Sequence, residues 1–447
     1  MQLCRSLCDF FDKYVTSEIP SLNGLVCVGS VSYIDATDTD LDLLVVDSDG
    51  GNADTLETLH SVLLRPSVQE KIREHYGVQA TALSFVRARV PILKMNLYDS
   101  HTQQVWPVDM SVLIAVRQSK AFVLYDVVQI LPHVINKGRQ FLSLCFTEFV
   151  KHEMRDNTLF SKSLIVLVRQ WAQNRQLYGT VYGFPGGSAW IVMLWLFCET
   201  VLHNSSSPSV IIDDRHLFRL MCMFYAKWPW PLPLTRVNCF AVFKNDQDAY
   251  DWQFLPLGVT KHCCGEVVLP LPDEVQKEQK EQINMTHTVG VIQHSTILWE
   301  MQRAMAYDID VVQPIVTDTE LCTSASFYIV FVCDHRNDMQ WQTHVQSFGI
   351  TRMIDRLYHL GVLSRPFCVT PNMHDMVHVQ LNGSITCCLP VNLICWVTTK
   401  DAIDDNTKNV NEVIQDVCTA IQLAYTDEIE SDIVVQVSHL PPFVVQD

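Results

Sequence analysis

The sequence lacks the patterns that mark membrane, zinc-binding and secreted proteins. Its longest apolar run, Ser188 to Leu202, is about 15 residues long and contains Glu199, whereas a membrane-spanning helix needs roughly 20 apolar residues. None of the 16 cysteines belongs to a Cys-x-x-Cys pair, so we expect reduced, mostly buried thiols rather than a zinc site. Residues 1–15 have the pattern of an amphipathic helix rather than of a signal peptide. We therefore expect a cytosolic or nuclear protein.

Basic residues are also few, with 32 Lys and Arg against 49 Asp and Glu, which gives a net charge of −17. This balance argues against a protein that binds nucleic acid over its whole surface. Residues 136–175 are an exception, because seven basic and three acidic side chains give them a net charge of +4. If this segment lines a cleft, its field would attract a few nucleotides while the remaining surface repels them. The seven basic residues are Lys137, Arg139, Lys151, Arg155, Lys162, Arg169 and Arg175.

The periodicity of apolar residues changes along the chain and predicts several domains. Strand and helix patterns alternate between residues 25 and 113, which indicates an α/β unit with a mixed sheet. Helical periodicity follows from about 122 to 307, and beyond Pro314 the order β-α-β-β-α-β is typical of a ferredoxin-like or RNA-recognition sandwich. We predict a multidomain α+β protein with an α/β domain at 1–118, a mainly helical central domain at 119–315 and a ferredoxin-like domain at 316–447. The N-terminal helix is a candidate for packing on the central domain.

The clearest chemical signal is a run of carboxylates that ends in an apolar strand, within "CVGSVSYIDATDTDLDLLVV". Residues i and i+2 of a strand point to the same side, so Asp40 and Asp42 would present both carboxylates to one face. Leu41 and Leu43 would then enter the core. Two hard oxygen ligands on one face suit Mg²⁺.

A third carboxylate and a Gly-Ser pair extend this pattern. Asp109 lies among strand residues in "WPVDMSVLI" and could complete a site for two metal ions. Gly29, at a strand end, would let backbone N–H groups approach a triphosphate, and the Ser30 hydroxyl adds a donor. Asp38 has the same i, i+2 spacing to Asp40, so the spacing alone does not choose the metal-binding pair.

The order of these motifs resembles that of nucleotidyltransferases of the DNA polymerase β superfamily, and this resemblance selects Asp40 and Asp42. Within that group, "RQWAQNRQLYGTVYGFPGGSAWIVMLW" and "FRLMCMFYAKWPWPLP", between Arg169 and Pro233, resemble the central domain of eukaryotic nuclear-type poly(A) polymerases. The resemblance continues through "ARVPILKMNL" and "MTHTVGVIQHSTILWEMQRAM". That family also carries a C-terminal domain of RNA-recognition topology, so the resemblance covers nearly the whole chain and implies a nucleotidyltransferase catalytic domain at its start.

The resemblance implies a polynucleotide adenylyltransferase that adds AMP from ATP to the 3′-hydroxyl of RNA and releases pyrophosphate, as in mRNA polyadenylation. In this family ATP and the RNA 3′ end meet between the first two domains. Asp40, Asp42 and Asp109 would be the catalytic, metal-binding residues and would hold two Mg²⁺ or Mn²⁺ ions. The implied enzyme is a nuclear monomer, with a cytoplasmic location still open. Its partners would be the RNA 3′ end, ATP and proteins of a 3′-end-processing complex, without a membrane.

Nucleotide-binding residues follow from the same resemblance. Tyr178 matches a tyrosine that contacts the triphosphate, Arg169 stands where the family has a phosphate-binding lysine, and Lys94 matches a lysine near the nucleotide. Thr180 replaces an asparagine beside the adenine, and Ser188 replaces an apolar residue that packs on the base, so base selectivity is less defined than the chemistry. The remaining implied positions are Gly29, Ser30, Gly186 and Gly187.

Two other functions remain open on the sequence. A terminal uridylyltransferase would share the carboxylates and differ mainly around Thr180 and Ser188. A catalytically weak scaffold of an RNA-processing complex is disfavoured by the presence of all three carboxylates. The C-terminal strands, such as "FYIVFVC", lack the basic and paired aromatic residues of RNA-binding sheets, so a structural or docking role is favoured for that domain.

Overall fold

The computed structural model describes much of the chain up to residue 306 and six strand segments beyond it. The described residues are 2–34, 40–49, 52–76, 83–86, 90–99, 104–135, 139–175, 177–179, 184–204, 213–230, 234, 263–268, 284–289, 291–306, 327–333, 367–369, 380–381, 384–385, 391–397 and 433–438. The chain divides into two compact units, residues 1–162 with 269–282 and residues 163–268 with 283–447. The three domain ranges expected from the sequence remain a prediction.

A mixed sheet of six strands forms the centre of the first unit. Its strands are β1 (Leu22–Val28), β2 (Leu41–Asp47), β3 (Ser84–Val86), β4 (Ile92–Asp99), β5 (Gln104–Ile114) and β6 (Val123–Tyr125). The order across the sheet is β3-β4-β5-β2-β1-β6. β2 is parallel to β5 and β1 is parallel to β6, while the other neighbouring pairs are antiparallel. The mixed sheet predicted for this part of the chain is confirmed.

Helices lie against this sheet. They are α1 (Gln2–Tyr14), α2 (Ser30–Ile34), α3 (Asn52–Leu63), α4 (Pro66–Tyr76), α5 (Val127–Ile130) and α6 (Arg139–Asp156), with a 3-10 turn at Leu131–His133. α1 is amphipathic, as predicted, and packs on the sheet through Phe11, whose ring stacks on Phe122 at a centroid distance of 5.7 Å. The cysteines whose state the structure describes are free and buried, and they are Cys4, Cys8, Cys27, Cys145, Cys198 and Cys222.

The sheet is buried on both faces where its central strands are apolar. Leu43 and Val45 of β2 belong to a core that also includes residues of α1, α3 and α4. The alternate residues Leu44 and Val46 point the other way and are also buried. The run of apolar residues in β2 therefore follows from burial on both sides, and Asp42 is the residue that interrupts it.

The second unit begins with helices. They are α7 (Lys162–Asn174), which belongs to this unit from Ser163 onward, α8 (Gly187–Asn204), α9 (Asp214–Ala226) and α10 (Val291–Ala306). Two strands, β7 (Cys263–Val268) and β8 (Asn284–Val289), pair as a small antiparallel sheet. Trp171 of α7 makes edge contacts with Trp190 and Phe218, at centroid distances of 5.5 and 5.1 Å. The apolar run in α8 is thus part of a helical core. In the described part of the chain, no helix has the length and hydrophobicity to cross a bilayer.

A buried ion pair joins two parts of the second unit that are far apart in sequence. The Arg175 guanidinium donates from Nε and Nη2 to the two carboxylate oxygens of Glu300, at 2.8 and 2.9 Å. The two side chains are only 5% and 2% exposed. Arg175 is therefore not a surface charge that could attract RNA, although the basic segment expected from the sequence included it.

The C-terminal strands form two antiparallel sheets, one of four strands and one of two. They are β9 (Phe327–Cys333), β10 (Phe367–Val369), β11 (Gln380–Leu381), β12 (Ser384–Ile385), β13 (Val391–Val397) and β14 (Ile433–Ser438). Four of them have the order β10-β13-β9-β14, and β11 and β12 form a small hairpin. A β-α-β-β-α-β unit of the ferredoxin type would place its four strands in this order. The two helices predicted between them lie outside the described residues.

Candidate active site

A row of charged residues crosses the sheet of the first unit, perpendicular to the strands. In the strand register, Asp42 of β2 is paired with Asp109 of β5, and Asp109 is paired with Lys94 of β4. Paired residues on neighbouring strands point to the same face, so these three side chains share one side of the sheet. Lys94 Nζ lies 2.9 Å from Asp109 Oδ2. We call Lys94, Asp109 and Asp42 the charged row.

Asp40 lies beside the charged row but not in a strand. β2 begins at Leu41, so Asp40 is the residue just before it and is exposed, whereas Asp42 is partly buried. Leu41 and Leu43 are each only 1% exposed, which confirms that they enter the core. The two carboxylates therefore differ in environment, although the sequence suggested that both belong to one strand face.

The charged form of Asp42 is disfavoured by its surroundings. Burial, followed by repulsion from Asp109 and then Asp40, raises the pKa of Asp42 to about 7, and the positive charge of Lys94 opposes this rise. One ammonium group therefore does not balance the three carboxylates. A site with this surplus of negative charge favours a bound cation.

The donor set fits a hard divalent ion that is shared with a substrate. Among the described residues there is no group of three His, Cys, Asp or Glu side chains that could by itself hold a metal ion. Mg²⁺, however, is usually bound by one or two carboxylates together with water and substrate phosphates. Asp42 and Asp109 form such a pair, and Asp40 is close enough to act on Asp42 electrostatically.

The Gly-Ser pair lies against the charged row. Gly29 has a φ of +71°, and a Cβ atom at this position would be 2.5 Å from Asp42 Oδ2. Only glycine therefore combines this left-handed backbone with so close an approach to the carboxylate. α2 begins at the next residue, Ser30.

The peptide groups of Gly29 are already hydrogen-bonded. Its N–H donates to Thr147 Oγ1 at 3.1 Å, and its carbonyl oxygen accepts from Ser32 N at 3.0 Å and Ser32 Oγ at 2.8 Å. The sequence led us to expect backbone N–H groups here that approach a phosphate, but the N–H of Gly29 itself is committed to Thr147. Sequence reasoning did not find Thr147, because a threonine within a helix gives no signal of such a contact.

In the second unit, Tyr178 lies over the beginning of α8. A Cβ atom on Gly187 would overlap the Tyr178 hydroxyl, so the phenol packs directly on this glycine. The carbonyl of Gly186 accepts hydrogen bonds from the first turn of α8, which also contains Ser188. The structure thus brings Tyr178 and the glycine pair together. Thr180 lies outside the described residues.

Arg169 of α7 is a partly buried cation with unused donors. Its Nε and Nη1 atoms are buried and have no hydrogen-bond partner in the part of the chain that the structure describes. A buried guanidinium without partners is costly, so a position of this kind is suited to an anionic ligand. The roles of Arg169 and Tyr178 rest on the sequence motif.

Comparison with known proteins finds a family that resembles the central part of the chain. The family model of the poly(A) polymerase central domain matches residues 159–318, which include α7 to α10. This part of the chain is similar to eukaryotic poly(A) polymerases, which confirms the resemblance seen in the motifs.

Individual relatives match limited parts of their own length. Poly(A) polymerase PAPa of Candida albicans is 33% identical over 73 residues, which cover 16% of this chain and 12% of the relative. Nuclear poly(A) polymerase 2 of Arabidopsis thaliana is 23% identical over 222 residues, which cover 45% of this chain and 24% of the relative. A solved structure of the Cid1 poly(U) polymerase with bound MgGTP covers 69% of this chain and 92% of its own, with 16% identity and a TM-score of 0.43. A likeness at that level does not indicate which nucleotide this chain uses.

Proposed function

We propose that this protein adds AMP from ATP to the 3′-hydroxyl of RNA, with release of pyrophosphate, as a poly(A) polymerase. The observation that carries the proposal is the charged row beside Gly29, in a chain whose residues 159–318 match a poly(A) polymerase central domain. Such a site needs no nucleophilic side chain, because the attacking group belongs to the RNA and catalysis rests on positioning and charge.

Asp42 and Asp109 are the proposed metal-binding residues, with Asp40 joining them when the ion is present. A divalent ion bound there supplies charge that stabilises the attack on the α-phosphate and the departure of pyrophosphate. We propose Mg²⁺ or Mn²⁺, and two ions per site as the family resemblance implies. Asp42 is suited to this role because its own environment disfavours an isolated negative charge.

Lys94 and Gly29 shape the site around these carboxylates. Lys94 holds Asp109 through the 2.9 Å contact and brings positive charge toward the nucleotide. Gly29 lets the backbone approach Asp42 Oδ2 more closely than a residue with a side chain could. The hydroxyl of Ser30, at the start of α2, is the proposed donor to the triphosphate.

The proposed nucleotide contacts of the second unit involve Arg169, Tyr178 and the start of α8. Arg169 has two buried donors without partners among the described residues and would bind phosphate oxygens. Tyr178, packed on Gly187, would contact the triphosphate with its orientation fixed by that glycine. The remaining positions, Gly186, Ser188 and Thr180, would surround the base.

We further propose that the enzyme acts in the nucleus on RNA delivered by proteins of a 3′-end-processing complex. With a net charge of −17, most of the surface repels RNA, so a partner that retains the substrate is useful. The Arabidopsis relative is named as a nuclear enzyme. Extension by the isolated chain should accordingly be distributive and sensitive to salt.

The deciding experiment is extension of a short RNA by the full chain, with Mg²⁺ and each of ATP, UTP, CTP and GTP in separate reactions. Asp109→Asn tests the site, and Asp49→Asn is a matched control, because Asp49 is an exposed carboxylate just after β2. We expect extension with ATP that falls by about 10²- to 10³-fold in Asp109→Asn, the typical effect of removing one group that stabilises transition-state charge. Asp49→Asn should match the unchanged protein.

Other outcomes would replace the proposal. Preferential use of UTP with the same loss in Asp109→Asn would define a terminal uridylyltransferase. If a sample that is folded by circular dichroism extends RNA with no nucleotide, the scaffold role would be the remaining hypothesis. Equal losses in Asp109→Asn and Asp49→Asn would show that the charged row is not the site.

A further inference from the structure

The turn at Gly29 is held by hydrogen bonds of two different kinds. Ser32 N and Oγ donate to the Gly29 carbonyl, which closes the turn on itself. The N–H of Gly29 donates instead to Thr147 Oγ1, 118 residues away on α6. The bonds from Ser32 fix the shape of the turn, whereas the bond to Thr147 fixes its position in the unit.

The orientation of the Thr147 hydroxyl is determined by its partners. Thr147 is fully buried, and its O–H donates to the carbonyl of Ser143, one helical turn earlier, at 2.8 Å. Because a hydroxyl has one hydrogen to donate, its oxygen lone pairs are left to accept from Gly29. The chain of bonds therefore runs from the Gly29 N–H through Thr147 to the backbone of α6.

The position of this turn matters because Gly29 packs directly against the Asp42 carboxylate. The Gly29 Cα faces the Asp42 carboxylate so closely that a Cβ atom would be 2.5 Å from Oδ2. A shift of the turn by a few tenths of an ångström would change this approach and the direction of the donors that follow. Local bonds within the turn do not prevent such a shift of the turn as a whole.

We propose that Thr147 is a positioning residue that holds the Gly29–Ser30 turn in register with the metal-binding carboxylates, and so sets the affinity for the nucleotide triphosphate. The proposal rests on the proposed nucleotidyl transfer at this site. Thr147 does not touch the substrate and acts through the N–H of Gly29.

Three variants of the full chain test this role. Thr147→Val keeps the shape of the side chain and removes both hydrogen bonds, and Thr147→Ser retains the hydroxyl. Thr200→Val is the matched control, because Thr200 is equally buried in α8 and its hydroxyl donates to the Leu196 carbonyl in the same one-turn geometry. A general effect of replacing a buried helical threonine should therefore appear in both valine variants.

Two measurements distinguish positioning from a purely structural role. Hydrogen exchange of the peptide that contains Gly29 should become faster in Thr147→Val, on the order of tenfold for the loss of one hydrogen bond. The KM for ATP should rise by a similar factor, also on the order of tenfold, whereas simple loss of folded protein would lower apparent kcat and leave KM unchanged. Thr147→Ser should recover most of both effects, and Thr200→Val should show neither.

The results separate this inference from the proposed function. If Thr147→Val has normal exchange at Gly29 and a normal KM, while its stability falls as in Thr200→Val, Thr147 has a structural role only and the inference is wrong. If the unchanged chain extends RNA with no nucleotide, the proposed function fails, and Gly29 exchange still shows whether Thr147 positions the turn. Faster exchange with an unchanged KM would overturn the link to nucleotide affinity.

Discussion

Each of the two units contains an ion pair, and the two pairs differ in how completely their charges are balanced. In the second unit, Arg175 and Glu300 share two hydrogen bonds and are 5% and 2% exposed. In the first unit, Lys94 and Asp109 share one contact at 2.9 Å and are 30% and 18% exposed, with Asp42 next to them. The charges of Arg175 and Glu300 balance each other, whereas Lys94 and Asp109, with Asp42 beside them, leave an excess of negative charge.

This difference separates a structural pair from a binding site. A guanidinium and a carboxylate that form two hydrogen bonds neutralise each other's charge, so they contribute little attraction toward a ligand. In the charged row, burial and then repulsion from Asp109 and Asp40 raise the pKa of Asp42, and a cation bound beside Asp42 would oppose that repulsion. The following predictions test this comparison from the largest expected effect to the smallest.

Removal of one partner from the buried pair should cause the greatest loss of stability. Glu300→Gln leaves the Arg175 guanidinium charged and buried without its counter-ion. We expect the free energy of unfolding to fall by about 3–5 kcal/mol, measured by urea denaturation. The double variant Arg175→Met with Glu300→Leu should recover most of this loss, because no charge then remains buried. If Glu300→Gln loses no more stability than is typical of a broken surface ion pair, the buried pair does not stabilise the unit.

At Asp42 we expect a loss of activity without a loss of stability. Asp42→Asn keeps the size of the side chain and removes a charge that burial and repulsion destabilise. We expect RNA extension to fall by about 10²- to 10³-fold, which is about 3–4 kcal/mol in the barrier, with no loss of stability. Thermal unfolding and extension rates of the same sample give both quantities. A loss of stability comparable with that of Glu300→Gln would mean that Asp42 is a structural residue.

Much of this comparison could be read from the sequence, because its signals are local. The apolar run of β2 and the amphipathic pattern of α1 predict their structures from residues that are close in the chain. The carboxylates were also visible, since Asp42 and Asp109 each have apolar neighbours on both sides within their strands. These features depend on the side-chain period of a strand or helix, which the sequence displays directly.

The remaining features depend on pairing between distant segments, which the sequence does not display. Lys94 lies opposite Asp109 because of the register between β4 and β5. In the sequence Arg175 looks like the other basic residues of its segment. Its partner Glu300 is 125 residues away and is brought to its side chain only by the fold. Thr147 was hidden for the same reason, since its contact with Gly29 joins α6 to the end of β1.

A buried histidine of the second unit predicts how the free energy of unfolding depends on pH. His294 in α10 is only 3% exposed, and its ring lies edge-on to Trp230 at a centroid distance of 4.6 Å. Neither ring nitrogen has a hydrogen-bond partner among the described residues. Burial lowers the pKa of His294 to about 4, below the value of 6.5 expected for an unfolded histidine. The unfolded chain therefore takes up this proton more readily than the folded chain.

Stability should consequently fall as the pH decreases from 6.5 toward 4. The contribution of His294 is complete above pH 6.5, and between pH 7 and pH 5 it should decline by about 2 kcal/mol. Urea denaturation at the two pH values measures this change, and His294→Leu should reduce it by the same amount. His216→Gln, at an exposed position in α9, is the control and should leave the pH dependence intact. An unaltered pH dependence in His294→Leu would show that other groups cause it.

The smallest overall effect is expected at Lys94, because its pair is partly exposed. Lys94→Met should alter the free energy of unfolding by no more than about 1 kcal/mol, in contrast with the buried pair. Its effect should appear in the response to metal, since the variant leaves Asp40, Asp42 and Asp109 without their nearest positive charge. A cation that binds only the folded chain raises its melting temperature. Mg²⁺ should therefore stabilise Lys94→Met more than the unchanged protein and Asp42→Asn least; an equal shift in all three would show that the incomplete ion pair does not bind the metal.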